Sequence, residues 1–562
     1  MGLFFFYVYW LVEEGMKGVS YSNIVKGTLL LSSATLICKI LGFIYFFPFQ
    51  LLVGAEGVAL YTYAYNCYGV LLSFSTVGIP IAVSKFVAKY NAVGDYETSQ
   101  KMYRASLLLM FILGTIGFLV LYGLAPYISS FIFRSKEPSQ SFLDSLTLTM
   151  RALSFALLIV PPMSITRGYF QGFQKMKPTA YSQLIEQVVR VLFILAGSFF
   201  IVHVMEGPVK WSVAVATFGA VVGALASVLV LVYYWKKYSG LKVVTKKKTS
   251  SLTIREMFHE LSKYSIPIVM VGVAIPLYGL VDQYTVADIL RKSGYSQSEA
   301  NGIFTYVTSY AQKLMMIPIS LATGFALSIV PAITQAFFDR KIDELKQQIL
   351  KIYQLLLLFT IPASVGLAVL AYDLFRMIYI NPKIALEGSP YLVTSAPVAI
   401  MVAIFTVSAA VLQGLNLQRN TIYATLAGIM MKLLLNPLLL HSFGGHGAII
   451  GTIIGFSVSN LMMFVVIVKY TKFQIRALLN SSLSICASSL MMMISILLLK
   501  WGSSFVLEGA HYIHSLIIVF ISVIIGGLVY SFLSMKSTHA LDVETKKMIL
   551  RKLKLTKMAR GL

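Results

Sequence analysis

The sequence is poor in charged residues and in cysteine, and both shortages restrict what the chain can be. Only 12% of its 562 residues are charged, whereas 57% are hydrophobic. A soluble chain of this size could not bury so much apolar surface, so the composition excludes a soluble globular protein and favours a polytopic membrane protein. The three cysteines, Cys38, Cys67 and Cys486, lie in or beside apolar runs. A disulfide framework is therefore not expected.

Sequence motifs for enzymatic or nucleotide-driven chemistry are also missing. The chain has no G-x-x-x-x-G-K-[ST] motif, which excludes a nucleotide-binding loop of that type. Its seven histidines are scattered, and neither a Ser–His–Asp arrangement nor a metal-ligand spacing stands out. We therefore predict a protein that is not an enzyme and that holds no cofactor or metal. The sequence leaves the identity of any coupling ion open.

Acidic residues are scarce, so the formal net charge is +24. Such a charge would suit a nucleic-acid partner if it lay on a folded surface. The lysines and arginines instead cluster in alternate short loops between apolar runs, as in the cytoplasmic loops of membrane proteins. In this assignment Arg167, Lys175 and Lys177 flank the loop between spans 4 and 5. We predict no nucleic-acid partner and place both termini in the cytoplasm.

Long apolar runs are abundant. A membrane-spanning helix needs about 20 mainly apolar residues, and about fourteen runs meet this length. They lie near residues 26–50, 57–82, 105–133, 146–168, 179–202, 212–235, 264–289, 302–332, 350–373, 389–413, 421–442, 447–469, 479–500 and 512–534. The predicted fold class is an all-α polytopic membrane protein with two six-helix lobes and two C-terminal helices.

The longest polar connection separates span 6 from span 7 and divides the chain. The predicted parts are an N-terminal extension (1–21), an N-lobe with spans 1–6 (22–236), a cytoplasmic linker (237–263), a C-lobe with spans 7–12 (264–470), spans 13–14 (471–535) and a basic cytoplasmic tail (536–562). Within the linker, LTIREMFHELSKYS fits a short amphipathic surface helix. A solvated connection explains this segment equally well.

The two lobes repeat each other in sequence. Residues 170–192 match 412–434, and residues 57–89 match 302–334. Gly172 falls on Gly414, and Arg190 falls on Lys432. Both copies contain six spans that run in the same direction. This pattern indicates parallel repeats, which are typical of transporters with a polar site between their halves.

Ionisable residues inside predicted spans are the candidates for that site, because such groups are costly at membrane depth. The candidates, together with one neighbouring amide, are Lys39, Glu186, Gln187, Arg190, Asp282, Lys313 and Lys432. Glu186 and Arg190 are four residues apart and can pair on one helix face, which is the structural alternative for both. Lys432 lacks such a partner, because Gly428 occupies the position that matches Glu186.

Basic residues outnumber acidic ones in this set. Unpaired cations in an apolar medium are unstable unless water or an anion reaches them. A diphosphate would satisfy several of them through charge-assisted hydrogen bonds. Alternatively, some of the lysines extend to the membrane interface. Gly78, Pro80 and Pro318 lie in the repeated spans 2 and 8 and are hinge candidates, although static kinks are the commoner use of such residues.

Several motifs resemble one family of transporters. They include GIPIAVSKFVAKYNAVGDYETSQK, RGYFQG, YSQLIEQVVRVLF, AIPLYGLVD, QKLMMIPISLATGFALSIVPAIT and VLQGLNLQ. From about residue 22 to the last span, the chain resembles the MurJ/YtgP-type lipid II flippases of the multidrug/oligosaccharidyl-lipid/polysaccharide exporter superfamily. The resemblance implies two lobes around a cationic cavity, with two last helices flanking a groove for a polyprenyl tail. It also implies essential cations at Lys39 in span 1 and Lys313 in span 8.

The resemblance and the cationic interior together predict the function. We expect a flippase of the bacterial cytoplasmic membrane that moves a polyprenyl-diphosphate-linked sugar, in the first place lipid II for peptidoglycan synthesis, by alternating access. The expected partners are this lipid, membrane lipids and cell-wall synthesis enzymes. The alternatives are a flippase for an exopolysaccharide or spore-cortex precursor, a cation-coupled multidrug exporter and a non-transporting scaffold for wall synthesis. An exporter would need an acid-rich site, and a scaffold would not need the buried cations.

Overall fold

The computed structural model describes residues 23–76, 78–132, 140–238, 254–473, 475–503 and 512–536, and every secondary-structure element within these ranges is helical. Twelve segments of the described chain are long and apolar enough to cross a membrane. The two other predicted spans, near 26–50 and 302–332, coincide with further helices. Helices satisfy their own backbone hydrogen bonds, which lets them cross the hydrocarbon core. The predicted all-α polytopic membrane fold is confirmed.

The helices follow the predicted order of spans. The N-lobe comprises α1 (Asn23–Ile44), α2 (Phe46–Thr76), α3 (Gly78–Ala92), α4 (Tyr96–Gly123), α5 (Ala125–Ile132), α6 (Gln140–Ser154), α7 (Ala156–Gly172), α8 (Met176–Phe199) and α9 (Val209–Lys237). The C-lobe comprises α10 (Ile254–Lys292), α11 (Gln297–Thr305), α12 (Ala311–Phe338), α13 (Ile342–Val369), α14 (Ala371–Tyr379), α15 (Pro382–Gly414), α16 (Arg419–Phe443) and α17 (Gly445–Thr471). The chain ends with α18 (Ile475–Ser503) and α19 (Tyr512–Lys536).

The two helix starts that differ most from the prediction are those of α2 and α10. Helix α2 begins eleven residues before predicted span 2, because a kink at Gly54 (φ 67°, ψ −175°) joins a short apolar helix to the span. Glycine adopts this positive φ at little cost. Helix α10 begins at Ile254, so residues 254–263 continue span 7 and the linker is shorter than predicted. The predicted N-terminal extension, most of the linker and the basic tail beyond Lys536 lie outside the described residues.

Matched glycines make matching contacts in the two lobes. A Cβ atom added to Gly172 at the end of α7 would lie 2.6 Å from Cγ1 of Val87 on α3. A Cβ atom added to Gly414 at the end of α15 would lie 2.7 Å from Cγ2 of Ile333 on α12. In both lobes, therefore, the absence of a side chain lets two helices approach closely. These equivalent contacts support the predicted repeat.

A second pair of contacts extends the correspondence between the lobes. A Cβ atom added to Gly223 on α9 would lie 2.7 Å from the carbonyl oxygen of Glu186 on α8. Likewise, a Cβ atom added to Gly455 on α17 would lie 2.8 Å from the carbonyl oxygen of Gly428 on α16. Gly428 is the residue that the sequence match places on Glu186. Helices α8 and α9 thus approach each other at the same point as α16 and α17.

The lobes contact each other along α2 and α3. The ring of Tyr63 stacks on the ring of Phe304, with 4.2 Å between their centroids. Further along the chain, Gly78 packs against α10, and a Cβ atom added to it would lie 2.5 Å from the Ser265 carbonyl oxygen. Protein interiors pack at crystal-like density, so any side chain at Gly78 would push the lobes apart.

The three hinge candidates lie in different settings. Gly78 and Pro80 lie in the first turn of α3, where the Pro80 carbonyl faces α7 at Gly168; a Cβ atom added to Gly168 would lie 2.5 Å from it. Pro318 lies inside α12, which extends on both sides of it. Gly78 and Pro80 are therefore tightly packed contact points between helices. The role of all three residues as hinges stays a prediction.

The last two helices pack on one side of the C-lobe. On α19, the Tyr530 hydroxyl donates a hydrogen bond to the Leu358 carbonyl of α13 at 2.6 Å. On α18, the Lys500 ammonium group lies 2.7 Å from the carboxylate of Asp373 on α14. Helices α18 and α19 are thus attached to the C-lobe through α13 and α14.

Candidate functional site

A cavity of about 550 Å³ lies between the lobes. Its lining comes from α1, α2, α7 and α8 of the N-lobe and from α12 of the C-lobe, together with Tyr45, which joins α1 to α2. This volume is within the range of small-molecule binding sites. The charged side chains of the lining are Lys39, Arg167, Glu186, Arg190 and Lys313. Four of these are basic and one is acidic, so the lining carries a net positive charge.

The cavity brings together five of the seven site residues predicted from the sequence. They are Lys39, Glu186, Gln187, Arg190 and Lys313, which come from three different helices. Gln187 faces α1, where a Cβ atom added to Gly42 would lie 3.3 Å from its Nε2 atom. Lys432 and Asp282 are not among the residues of this lining.

Glu186 is held by two arginines. Arg190, one turn further along α8, donates a hydrogen bond to Oε1, and Nη2 of Arg167 on α7 donates to Oε2 at 2.7 Å. Arg167 also donates to the hydroxyl groups of Ser182 and Ser227, both at 2.8 Å. The predicted pairing of Glu186 with Arg190 is therefore present. The carboxylate neutralises part of the arginine charge at the edge of the cavity.

Arg167 is a site residue that the sequence analysis missed. The prediction places it at the end of span 4, beside the loop to span 5, whereas α7 continues to Gly172, so Arg167 lies more than one turn inside the helix. The Arg167 side chain points inward and is only 13% exposed. A signal was available in the sequence: Arg167 is the only charged residue between Arg151 and Lys175. An isolated charge in an apolar run points to the bundle interior.

Lys39 and Lys313 differ from the arginines, because no described carboxylate forms an ion pair with either lysine. The ammonium nitrogen of Lys313 instead lies 4.9 Å from the ring centroid of Phe46 and 5.9 Å from that of Tyr45. Aromatic faces compensate a cation only partly. A π-helical turn at Tyr306–Tyr310 directly precedes α12 and Lys313, and such turns are frequent at functional sites.

Lys432 forms a buried ion pair away from this cavity. Its ammonium nitrogen lies 2.7 Å from Oδ2 of Asp282 on α10 and 2.5 Å from Oγ1 of Thr452 on α17. Asn436 donates a further hydrogen bond to Oδ1 of Asp282 at 3.3 Å. The Lys432 side chain is 0% exposed. As predicted, Lys432 has no acidic partner one turn away on its own helix; the partner that it does have, Asp282, comes from α10.

The arrangement in the main cavity suits an anionic group. Lys39 and Lys313 supply ammonium donors from opposite lobes, whereas the guanidinium groups of Arg167 and Arg190 already share one carboxylate. Phosphate oxygens accept short charge-assisted hydrogen bonds from such donors. Lysine acts on a phosphate as a mobile point charge, which suits a ligand that is bound and then released.

The chain matches two protein families. Residues 24–337 match the family described as "Polysaccharide biosynthesis protein", and residues 305–438 match MatE. The Lipid II flippase MurJ of Bacillus subtilis (strain 168) is 38% identical over 516 residues, which cover 91% of this chain and 95% of that protein. The Stage V sporulation protein B of the same strain is 27% identical over 73% of this chain and 76% of its own length.

Solved structures share the fold. The Lipid II flippase MurJ in an inward closed conformation gives a TM-score of 0.63 at 19% sequence identity, over 93% of this chain and 99% of that one. An inward-facing multidrug resistance MATE family transporter of the MOP superfamily gives 0.59 at 16% identity, over 78% and 95%. At these identities the comparisons establish a common architecture.

Proposed function

Because the chain belongs to the polysaccharide biosynthesis family together with the lipid II flippase MurJ of Bacillus subtilis, we propose that it is itself a lipid II flippase of the bacterial cytoplasmic membrane. The observation that carries this proposal is the cavity between the lobes, which Lys39 and Lys313 line from opposite lobes and where neither forms an ion pair with a described carboxylate. In this proposal the diphosphate of the lipid supplies the missing negative charge.

The proposed transport mechanism depends on the fact that these two lysines belong to opposite lobes. Lys39 is on α1 of the N-lobe, and Lys313 is on α12 of the C-lobe. A diphosphate bound between them would neutralise both and draw the two walls of the cavity together. Alternating access is a movement of one lobe against the other around such a fixed site. The polyprenyl tail would stay in the lipid beside α18 and α19, on the side of the C-lobe.

Two further parts of the proposal concern orientation and partners. Both termini are assigned to the cytoplasm, because the lysine-rich and arginine-rich loops lie on the same side of the membrane as the termini. Cell-wall synthesis enzymes that consume the delivered lipid are the proposed protein partners.

The multidrug exporter fits less well, since a site for organic cations should be rich in acids and this lining has four basic side chains and one acidic one.

Glu186 pairs with Arg167 and Arg190, so its carboxylate would compete with a diphosphate for these two cations and act as their counter-charge. We expect Glu186→Gln to bind lipid II about tenfold more tightly, since the diphosphate no longer competes with a carboxylate. Release should then be slower, so turnover should fall. Binding in detergent and flipping in proteoliposomes measure the two effects.

Glu97→Gln is the control for this variant, because Glu97 pairs with Lys101 on the exposed start of α4. It should change neither affinity nor turnover. If Glu186→Gln bound lipid II more weakly than the parent, Glu186 would contact the substrate favourably, and its role as a counter-charge would be wrong.

Complementation tests the function itself. A bacterial host is depleted of its resident lipid II flippase while this chain is expressed at a measured membrane level. Growth should be rescued, and lipid II should become accessible to an added reagent on the outer face of the membrane. Absence of both effects, with the protein correctly inserted, would overturn the lipid II assignment.

A further inference from the structure

Three tyrosines line the cavity beside the lysines. Tyr45 joins α1 to α2, and Tyr61 and Tyr65 follow one turn apart on α2. We refer to Tyr45, Tyr61 and Tyr65 as the tyrosine platform. The hydroxyl oxygens of Tyr45 and Tyr61 are 2.9 Å apart, and the rings of Tyr61 and Tyr65 stack with centroids 4.3 Å apart and an interplanar angle of 24°. The platform is therefore one connected surface.

One polar group of the platform is unsatisfied. The Tyr65 hydroxyl oxygen is buried and forms no hydrogen bond of normal geometry to the described residues, although the Tyr61 side chain lies beside it. A buried hydroxyl without a partner destabilises a structure, and native proteins rarely leave one. Tyr65 nevertheless lines a cavity large enough for a ligand. A ligand hydroxyl or amide in the cavity would supply the partner that the protein does not.

The platform adjoins the cation of the C-lobe. The ammonium nitrogen of Lys313 lies 5.9 Å from the ring centroid of Tyr45. In a sugar diphosphate the first sugar is bonded directly to the phosphate. A diphosphate held at Lys313 would therefore place this first sugar within reach of the tyrosine rings. At this separation, an anion subsite at Lys313 and the aromatic surface of the platform are neighbours within one cavity.

The chemistry of a sugar ring fits this surface. The face of an aromatic ring is weakly negative, and the C–H groups on one face of a pyranose are weakly positive, so the two surfaces attract. The hydroxyl and amide groups around the sugar rim can bond to phenolic oxygens, which both donate and accept. An apolar chain would leave the Tyr65 hydroxyl group without a partner.

We propose that the tyrosine platform is the sugar subsite of the cavity, and that it selects lipids whose diphosphate carries a pyranose. Tyr65 contributes both its ring face and its free hydroxyl group, while Tyr45 and Tyr61 hold the surface in place through their mutual hydrogen bond. This inference rests on the proposed function. It identifies the part of the site that recognises the sugar, as distinct from the part that binds the diphosphate.

Two ligands separate the sugar subsite from the anion subsite: lipid II, and the polyprenyl diphosphate without a sugar. Each competes with fluorescent lipid II for the purified full-length protein in detergent. Tyr65→Leu, which removes the ring, should weaken lipid II binding about tenfold. Tyr65→Phe, which removes only the hydroxyl, should weaken it about fivefold. Neither variant should change the affinity for the polyprenyl diphosphate.

Tyr68→Phe is the matched control, because Tyr68 lies on the same helix, is 4% exposed and is not part of the cavity lining. It should bind both lipids like the parent. Tyr65→Phe keeps the ring and its packing, so it reports on the subsite even if the leucine variant does not fold. The proposed sugar subsite is overturned if the Tyr65 variants lose affinity for both lipids equally, or lose affinity for neither lipid. If the parent binds neither lipid, the proposed function fails instead.

Discussion

Replacing Lys313 with alanine is expected to lower lipid II transport about a hundredfold and to abolish rescue of flippase-depleted cells. Lys313 has aromatic rings as neighbours and pairs with no described carboxylate, so the substrate is its proposed counter-charge. Alanine removes that charge from the C-lobe wall without breaking an ion pair, so the fold should be retained. Flipping in proteoliposomes and growth at matched membrane levels measure the loss.

Two substitutions serve as controls for this variant. Lys313→Arg keeps the charge and should retain part of the transport, although its planar donors differ in geometry from an ammonium group. Lys292→Ala removes an exposed lysine that pairs with Asp288 at 2.9 Å, and it should transport like the parent. If Lys313→Ala transported lipid II at the parent rate, the assigned role of Lys313 would be wrong while the function could stand.

The largest effect on stability is expected from Lys432→Ala. This change leaves the Asp282 carboxylate inside the C-lobe without its cation, although Asn436 still donates to it. Removing one partner of a buried ion pair typically costs about 3–5 kcal/mol. The detergent-solubilised variant should therefore melt at a clearly lower temperature than the parent, as measured by intrinsic fluorescence.

A double variant identifies the cause of that loss. Lys432→Met with Asp282→Asn removes both charges and should recover most of the stability, because no unpaired charge remains. Lys346→Ala, which breaks an exposed pair with Asp343, should leave the melting temperature unchanged. Equal stability of Lys432→Ala and the parent would show that the buried pair contributes little to the C-lobe.

The sequence predicted the site best where partners are close along the chain. Glu186 and Arg190 lie four residues apart on one helix, so helical geometry alone brings them together. Lys432 and Asp282 are 150 positions apart. No periodicity within one helix relates them, and only the packing of α10 against α16 does. The sequence could therefore place both groups at membrane depth but could not pair them.

Arg167 is a second residue whose contacts with other helices could not be predicted from the sequence. Counting positive charges near span ends is a rule about loops, and it assigns any arginine near an end to the aqueous phase. A long side chain near the end of a helix can equally turn inward. What turns Arg167 inward is a set of partners on α8 and α9, namely Ser182, Glu186 and Ser227. These residues become neighbours of Arg167 only after three helices have packed.

The number of helices was easier to predict, since the length of an apolar run depends only on local composition. Hydropathy does not register the positive φ of Gly54 at the kink of α2, nor the polar turns at residues 254–263 with which α10 begins. The repeat was visible at Gly172 and Gly414. The corresponding pair Gly223 and Gly455 became apparent only from their contacts with the carbonyl oxygens of Glu186 and Gly428.

The different pairing of the two lobes makes them mechanically unequal. In the N-lobe, α1 is joined to α8 by weak neutral bonds: Thr35 to the Gln183 side chain and Cys38 to the Gln183 carbonyl, both at 3.3 Å. In the C-lobe, α10 is fastened to α16 by the salt bridge of Asp282 with Lys432. Tilting α1 against α8 therefore costs little energy, whereas α10 and α16 are expected to move as one unit. Equivalent helix pairs of the two lobes thus differ in stiffness, and the softer pair includes α1, which lines the cavity.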